Sequence, residues 1–208
     1  MCQFCQPLSK CGSRPWRTMS DHVAAVCRAA YFQLRQLRLI TCSLTADDAK
    51  LTVQAFITCR LDYCNSLFYS ISDSLFRRLQ SLQNAAVPVI TGTSRCDHVT
   101  PVLRQLHWLP VQQRVKFKLA VLGYKSFHGL TAPYLTDDCQ LVANTGRCRL
   151  WLADVDTCII PRTNTRLGDR SFTVAGQRLW NTLLVELRRL DVELVTPLRL
   201  LKTHLFRV

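Results

Sequence analysis

Two adjacent carboxylates, Asp47 and Asp48, lie in the stretch SLTADDAKLT, residues 43 to 52. Adjacent aspartates can hold a pair of magnesium ions in nucleic-acid polymerases, where the metals activate the attacking oxygen and stabilise the leaving one. That chemistry needs a tight β-hairpin, with an apolar or aromatic residue before the acids and a strand after them. Here Thr45 and Ala46 precede, and a helical pattern follows. Thr45 with Asp48 three residues later fits a capping box, and Asp47 also faces the positive end of the helix dipole. The pair reads as structural. A second pair, Asp137 and Asp138 in YLTDDC, also lacks hairpin signals.

Soft metal ligands come next. Cys2, Cys5, Cys11 and His22 would make a set of four, but the Cys5-to-Cys11 gap is irregular and His22 falls in the first turn of a helix. Zinc fingers use tighter paired spacing. Cys139, Cys148 and Cys158 are too far apart for a knuckle. The five histidines, His22, His98, His107, His128 and His204, have no nucleophile elbow or cysteine signature beside them, and no phosphate-cradling glycine loop is present. The sequence therefore points to no metal, no cofactor, no small-molecule substrate and no catalytic residue. With 11 cysteines, an odd number, and no N-terminal apolar leader, the thiols read as reduced side chains of an intracellular, soluble protein. No apolar run reaches the ~18 residues of a membrane span.

The strongest chemical signal is positive charge. Lys and Arg number 27 against 14 acids, a net charge of +13, and counting along the chain gives 21 Arg to 6 Lys with only two Glu, Glu186 and Glu193. Arginine suits phosphate, because its planar fork donates two parallel hydrogen bonds and stays ionised. Nucleic acid is the leading partner class and an anionic membrane surface the second. GC-rich coding bias gives a similar composition without any selected partner.

The elements that must carry these charges are helical. Hydrophobic content of 48% with 20% charged residues reads as globular. Residues 1–18 lack any period and read as a loose, flexible arm. From Ser20 as N-cap, apolar residues recur at Val23, Val26, Cys27, Ala30, Leu34 and Leu37, and Arg28, Arg35 and Arg38 line up on the opposite face. A second helix starts at Thr45 and runs through Val53, Phe56, Ile57, Leu61 and Cys64. A third runs from about Asp73 through Leu75, Leu79, Leu82 and Ala86, exposing Arg77 and Arg78; Pro88 interrupts its hydrogen bonding and Gly92 stops it. Pro101 opens a short helix. After HWLP a long helix runs from Pro110 to Gly129, with Arg114, Lys118 and Lys125 on one side and Phe117, Val121, Tyr124 and His128 on another. The run CII, Cys158 to Ile160, predicts a short strand, TNTRLGDR a basic loop, and two helices follow at about 171–190 and 196–206. The expected fold is mainly α: a helical bundle over 19–92 and a second helical region over 97–208, with at most a short strand or hairpin.

Several segments, SDHVAAVCRAAYFQLRQLRLI, RLDYCNSLFY, LQSLQNAA, VLRQLHWLPVQQRVKFKLAVLGYKSFHGLTAPYL, PRTNTRLGDRSFTVAGQRLWNTL and LKTHLF, together resemble the C-terminal part of a non-LTR, LINE-type retrotransposon reverse transcriptase of the jockey-like group. They fall in the family's order and span nearly all of 19–206. LDYCNS and HWLP carry most of the specificity. The resemblance implies the helical thumb and the helical region after it, which grip template and primer behind the active site. The family's catalytic palm lies upstream of the matching part, so the resemblance carries over no catalytic residue and implies a truncated RNA-directed DNA polymerase. Its nucleic-acid-binding role would fall on Arg28, Arg35, Arg38, Arg77, Arg78, Arg114, Lys118 and Lys125, with an RNA or RNA–DNA hybrid backbone as partner. The chain departs from the family over 1–18, at Pro88, and in WNTLLVEL, which lacks a proline similar proteins carry. An eroded, non-functional reading frame and a repurposed helical interaction module are the alternative readings.

Overall fold

The computed structural model describes residues 18–92, 98–142, 156–165, 167–188 and 195–207. Of the arm expected over 1–18, residues 1–17 and the cysteines among them lie outside the described residues, as do Cys148 and Arg166, while Thr18 belongs to the first helix as its cap. The fold is mainly α. Helix α1 spans Met19–Ile40 and buries Val23, Val26, Cys27, Ala30, Leu34 and Leu37, the same six positions its period predicts. Its N-cap is Thr18 and not Ser20: the Thr18 hydroxyl accepts from the Asp21 amide at 3.2 Å and donates to the Asp21 carboxylate at 2.8 Å. That reciprocal pair satisfies an orphan amide one turn in, so the helix begins before Ser20.

Helix α2 spans Ala46–Val53 and passes through a wide π-helical turn, Gln54–Thr58, into α3, Cys59–Asp62. The Cys59 amide bonds the carbonyl of Gln54, five residues back. Val53, Ile57 and Leu61, spaced by four, all stay buried across this widened turn, whereas Phe56 rotates toward solvent. The helix ends at Asp62, and Cys64 takes positive φ. A 3-10 turn, Asn65–Phe68, then inserts the fully buried Phe68.

Helix α4 spans Asp73–Thr91 and passes through Pro88 rather than stopping there. Pro88 lies one turn before the end, so only the bond to the Asn84 carbonyl is lost. Gly92, at φ 64°, closes the helix by donating to the Pro88 carbonyl. Cys27 lies against the Arg78 carbonyl and Arg38 against that of Ala85, so α1 and α4 run side by side in the same direction.

Helix α5 spans Val99–Gln105 and α6 Val111–Phe127. The HWLP turn between them has a local cause. His107 adopts positive φ, and the amides of Trp108 and His107 bond the carbonyls of Leu103 and Arg104. This closes α5 with paired bonds and places Trp108 and Leu103 together in the core. Gly129 ends α6 the same way, its neighbour Leu130 bonding the Lys125 carbonyl.

The start of α6 is held by α4. Gln80 Oε1 accepts from the Val111 amide at 2.9 Å, and Gln83 Nε2 donates to the Leu109 carbonyl at 2.9 Å. Gln80 Nε2 in turn donates to Gln83 Oε1 at 3.0 Å. Gln83 is 1% exposed. Gln83→Leu roughly keeps the volume but strands the Leu109 carbonyl and leaves the Gln80 amide only its bond to Asn84 Oδ1 at 2.8 Å. The expected loss is ~1–3 kcal/mol of unfolding free energy, read by chemical denaturation.

Helix α7 spans Pro133–Asp138, α8 Phe172–Thr182, α9 Val185–Arg188 and α10 Val195–Arg207. The expected single helix at 171–190 is thus two, broken where Leu183 turns extended and buries itself. The expected CII strand is one antiparallel bridge, Leu141 with Cys158. On its other edge Asn181 stands in for a strand: its Oδ1 accepts from the Cys158 amide and its Nδ2 donates to the Cys158 carbonyl, each at 2.9 Å. Trp180 beside it donates to the Asp156 carbonyl and packs on Tyr124 and Phe127 of α6. Buried side chains of both sequence regions, 19–92 and 97–208, form one continuous core.

Candidate nucleic-acid interface

One acid of each pair, Asp48 and Asp138, is tied into the scaffold. Thr45 Oγ1 donates to Asp48 Oδ2 at 2.7 Å and accepts from the Asp48 amide at 3.2 Å, the capping arrangement its spacing predicts. Asp138 takes the Thr173 hydroxyl at 2.8 Å, tying α7 to α8. Replacing both Asp47 and Asp48 by Asn is expected to cost ~1 kcal/mol of stability, through the lost cap and dipole interactions. Calorimetric titration with magnesium should give the same trace for that variant and the parent. Tight magnesium binding lost in the variant would overturn the capping role.

Three of the described cysteines are wholly or partly buried. Burial pushes the Cys158 thiol up to about 12, and it also raises Cys139 and Cys27. Such thiols stay protonated and poorly nucleophilic at neutral pH. Among the described residues no three His, Cys, Asp or Glu side chains gather as metal ligands. Nor is any described helix long and apolar enough to cross a membrane.

The basic residues separate into groups. Arg28 and Arg35 of α1 and Arg78 of α4 line one surface groove of about 560 Å³ between the two helices. Seven residues separate Arg28 from Arg35, so their Cα atoms are ~10.5 Å apart along the axis and share a face. All three are exposed. Residues 22–46 and 74–96 contain no Asp or Glu at all, so neither helix carries an acid beyond its first turn to neutralise them. Among the described residues no carboxylate lies within ion-pair reach of the three.

The remaining candidates lie elsewhere. Arg38 rotates off the Arg28–Arg35 line toward α4, where it reaches the Ala85 carbonyl at 3.5 Å. Arg77 is exposed beside Arg78 but does not line the groove, and Lys118 and Lys125 are exposed on α6, away from the groove walls. Arg114 is a correction. Its guanidinium is 12% exposed and bonds Asp62 at 3.1 Å, while Asn65 approaches the same carboxylate. Helix α6 packs against the Asp62–Phe68 turn, which turns Arg114 inward as a bridge and away from any external phosphate.

The groove also holds two aromatic side chains that the charge pattern does not point to. Tyr31 and Phe32, 36% and 59% exposed, sit midway between Arg28 and Arg35 and line the same groove. Their i+3 and i+4 spacing from both arginines was the available signal. Cys27 forms part of the floor, its thiol raised by burial with Arg78 pulling the other way. Burial likewise raises the Tyr31 phenol, helped by Cys27 and opposed by Arg38. Both groups are neutral at pH 7, so the positive field comes from the arginines alone.

No protein-family model matches the chain, and no curated protein or solved structure matches it either.

Proposed function

We propose that this chain is a thumb-like helical part of a non-LTR retrotransposon reverse transcriptase that grips the phosphate backbone of an RNA or RNA–DNA hybrid and performs no nucleotide addition itself. One observation carries the binding reading: three guanidinium groups from two parallel helices line one groove, and among the described residues no carboxylate pairs with them. Each can form a forked, charge-assisted pair with a phosphate. The contacts are to backbone, so they give affinity and register without reading base sequence. The resemblance of LDYCNS, HWLP and the flanking segments supports the family origin, and α1 and α4 fall within the part that resembles the thumb.

Backbone binding releases counterions, so affinity must fall as salt rises. Fluorescence anisotropy with a dye-labelled RNA–DNA hybrid, titrated between 50 and 200 mM salt, tests this. Three phosphate contacts predict a log–log slope of about −2 to −3 from this groove. Affinity that does not weaken with salt sinks the proposal.

A further inference from the structure

The groove contains more than charge. Tyr31 and Phe32 project from α1 between Arg28 and Arg35, with Arg78 facing them from α4 and the neutral Cys27 below. Tyr31 and Phe32 are large aromatic side chains left 36% and 59% exposed, and such surface is costly to leave in water. A helix surface that served only to hold phosphate would gain nothing from placing two of them there. An order of arginine, aromatic pair, arginine along one face matches a strand in which phosphates alternate with bases.

Duplex and single strand differ at this point. In a paired duplex the base faces are stacked on one another and are closed to protein rings; only backbone reaches the arginines. An unpaired base offers its π-face, and stacking on Tyr or Phe is tolerant of base identity. The open groove, about 560 Å³, has room for a splayed base beside the two rings.

We infer that the α1–α4 groove is a single-strand site: Tyr31 and Phe32 stack an unpaired base while Arg28, Arg35 and Arg78 hold the phosphates on either side. This rests on the backbone-binding reading above and adds a preference for unpaired over duplex nucleic acid. It makes Tyr31 and Phe32 the residues that determine that preference.

The test uses the full chain and two labelled probes of equal length, a single-stranded RNA without self-complementarity and the same RNA paired to DNA. Anisotropy gives Kd for each across the salt series. The parent should bind the single strand more tightly than the hybrid. Tyr31→Ala with Phe32→Ala should weaken single-strand binding by about 5- to 150-fold for each base unstacked, and hybrid binding by less than single-strand binding. Its salt slope should match the parent's, because no charge is removed. Tyr31→Phe with Phe32→Trp keeps the rings and should restore binding, which separates stacking from a folding defect. Equal affinity of the parent for both probes, or an alanine pair that binds single strands normally, overturns the stacking site and leaves the backbone reading standing. Failure of the parent to bind either probe overturns both. Binding of phosphatidylserine vesicles that depends on the two rings, without single-strand binding, or self-association lost in the alanine pair, would reassign the face.

Discussion

Alanine at Arg28, Arg35 and Arg78 together should reduce the magnitude of the salt slope for hybrid binding by about 2 to 3. Across a fourfold rise in salt, that difference makes the variant's affinity loss roughly 40-fold smaller than the parent's. The reason is thermodynamic: each guanidinium that no longer neutralises a phosphate leaves that phosphate's counterions in place. Net charge falls from +13 to +10 (13 − 3) in this variant, so a general loss of attraction must be separated from a local one. A second triple variant, Arg77→Ala with Lys118→Ala and Lys125→Ala, removes the same charge from exposed sites outside the groove. Its slope should stay close to the parent's. Equal losses in the two variants would show that binding is diffuse and that the groove has no special part in it. All six side chains are exposed, so both variants should stay folded.

Trp180→Ala is the substitution expected to cost most stability, ~3–5 kcal/mol. The indole is 1% exposed, lies edge-on to Tyr124 with centroids 4.8 Å apart, and packs on Phe127 at 4.7 Å. Alanine leaves a cavity between α6 and α8, strips two aromatic contacts, and leaves the Asp156 carbonyl without its indole donor. The loss is a large part of the ~5–15 kcal/mol typical of a whole domain. Trp180→Phe isolates the hydrogen bond, since it keeps a ring in place; about 1–3 kcal/mol is expected for that change. Urea unfolding midpoints for the two variants measure both values. A loss below ~1 kcal/mol for Trp180→Ala would mean that α8 does not pack on α6 as described.

Much of the fold can be read along the chain, because it depends on contacts between near neighbours. The six buried positions of α1 follow from the 3.6-residue period alone. So does the Thr45–Asp48 cap, whose partners are three residues apart. Gly92 and Gly129 end helices because they take positive φ without a Cβ penalty. The limits of such reading are also local. Thr18 competes with Ser20 for the same cap, and only the chain's path into the helix decides between two good capping residues. His107 takes the conformation usual for glycine because Trp108 must reach the core.

The candidate site divides along the same line. That α1 and α4 carry arginines with no acids among them is a property of the sequence, and so is the spacing of Tyr31 and Phe32 between Arg28 and Arg35. Which arginines act together is not. Arg114 looked as free as Lys118 on a helical wheel, yet it meets Asp62 across a separation of 52 residues. Arg78 joins Arg28 and Arg35 only because α4 lies parallel to α1, with Cys27 against its backbone. Period and capping energies act over one or two turns and are encoded where they act. The meeting of charges from distant segments depends on how helices pack, and that is settled by the shape of the whole core.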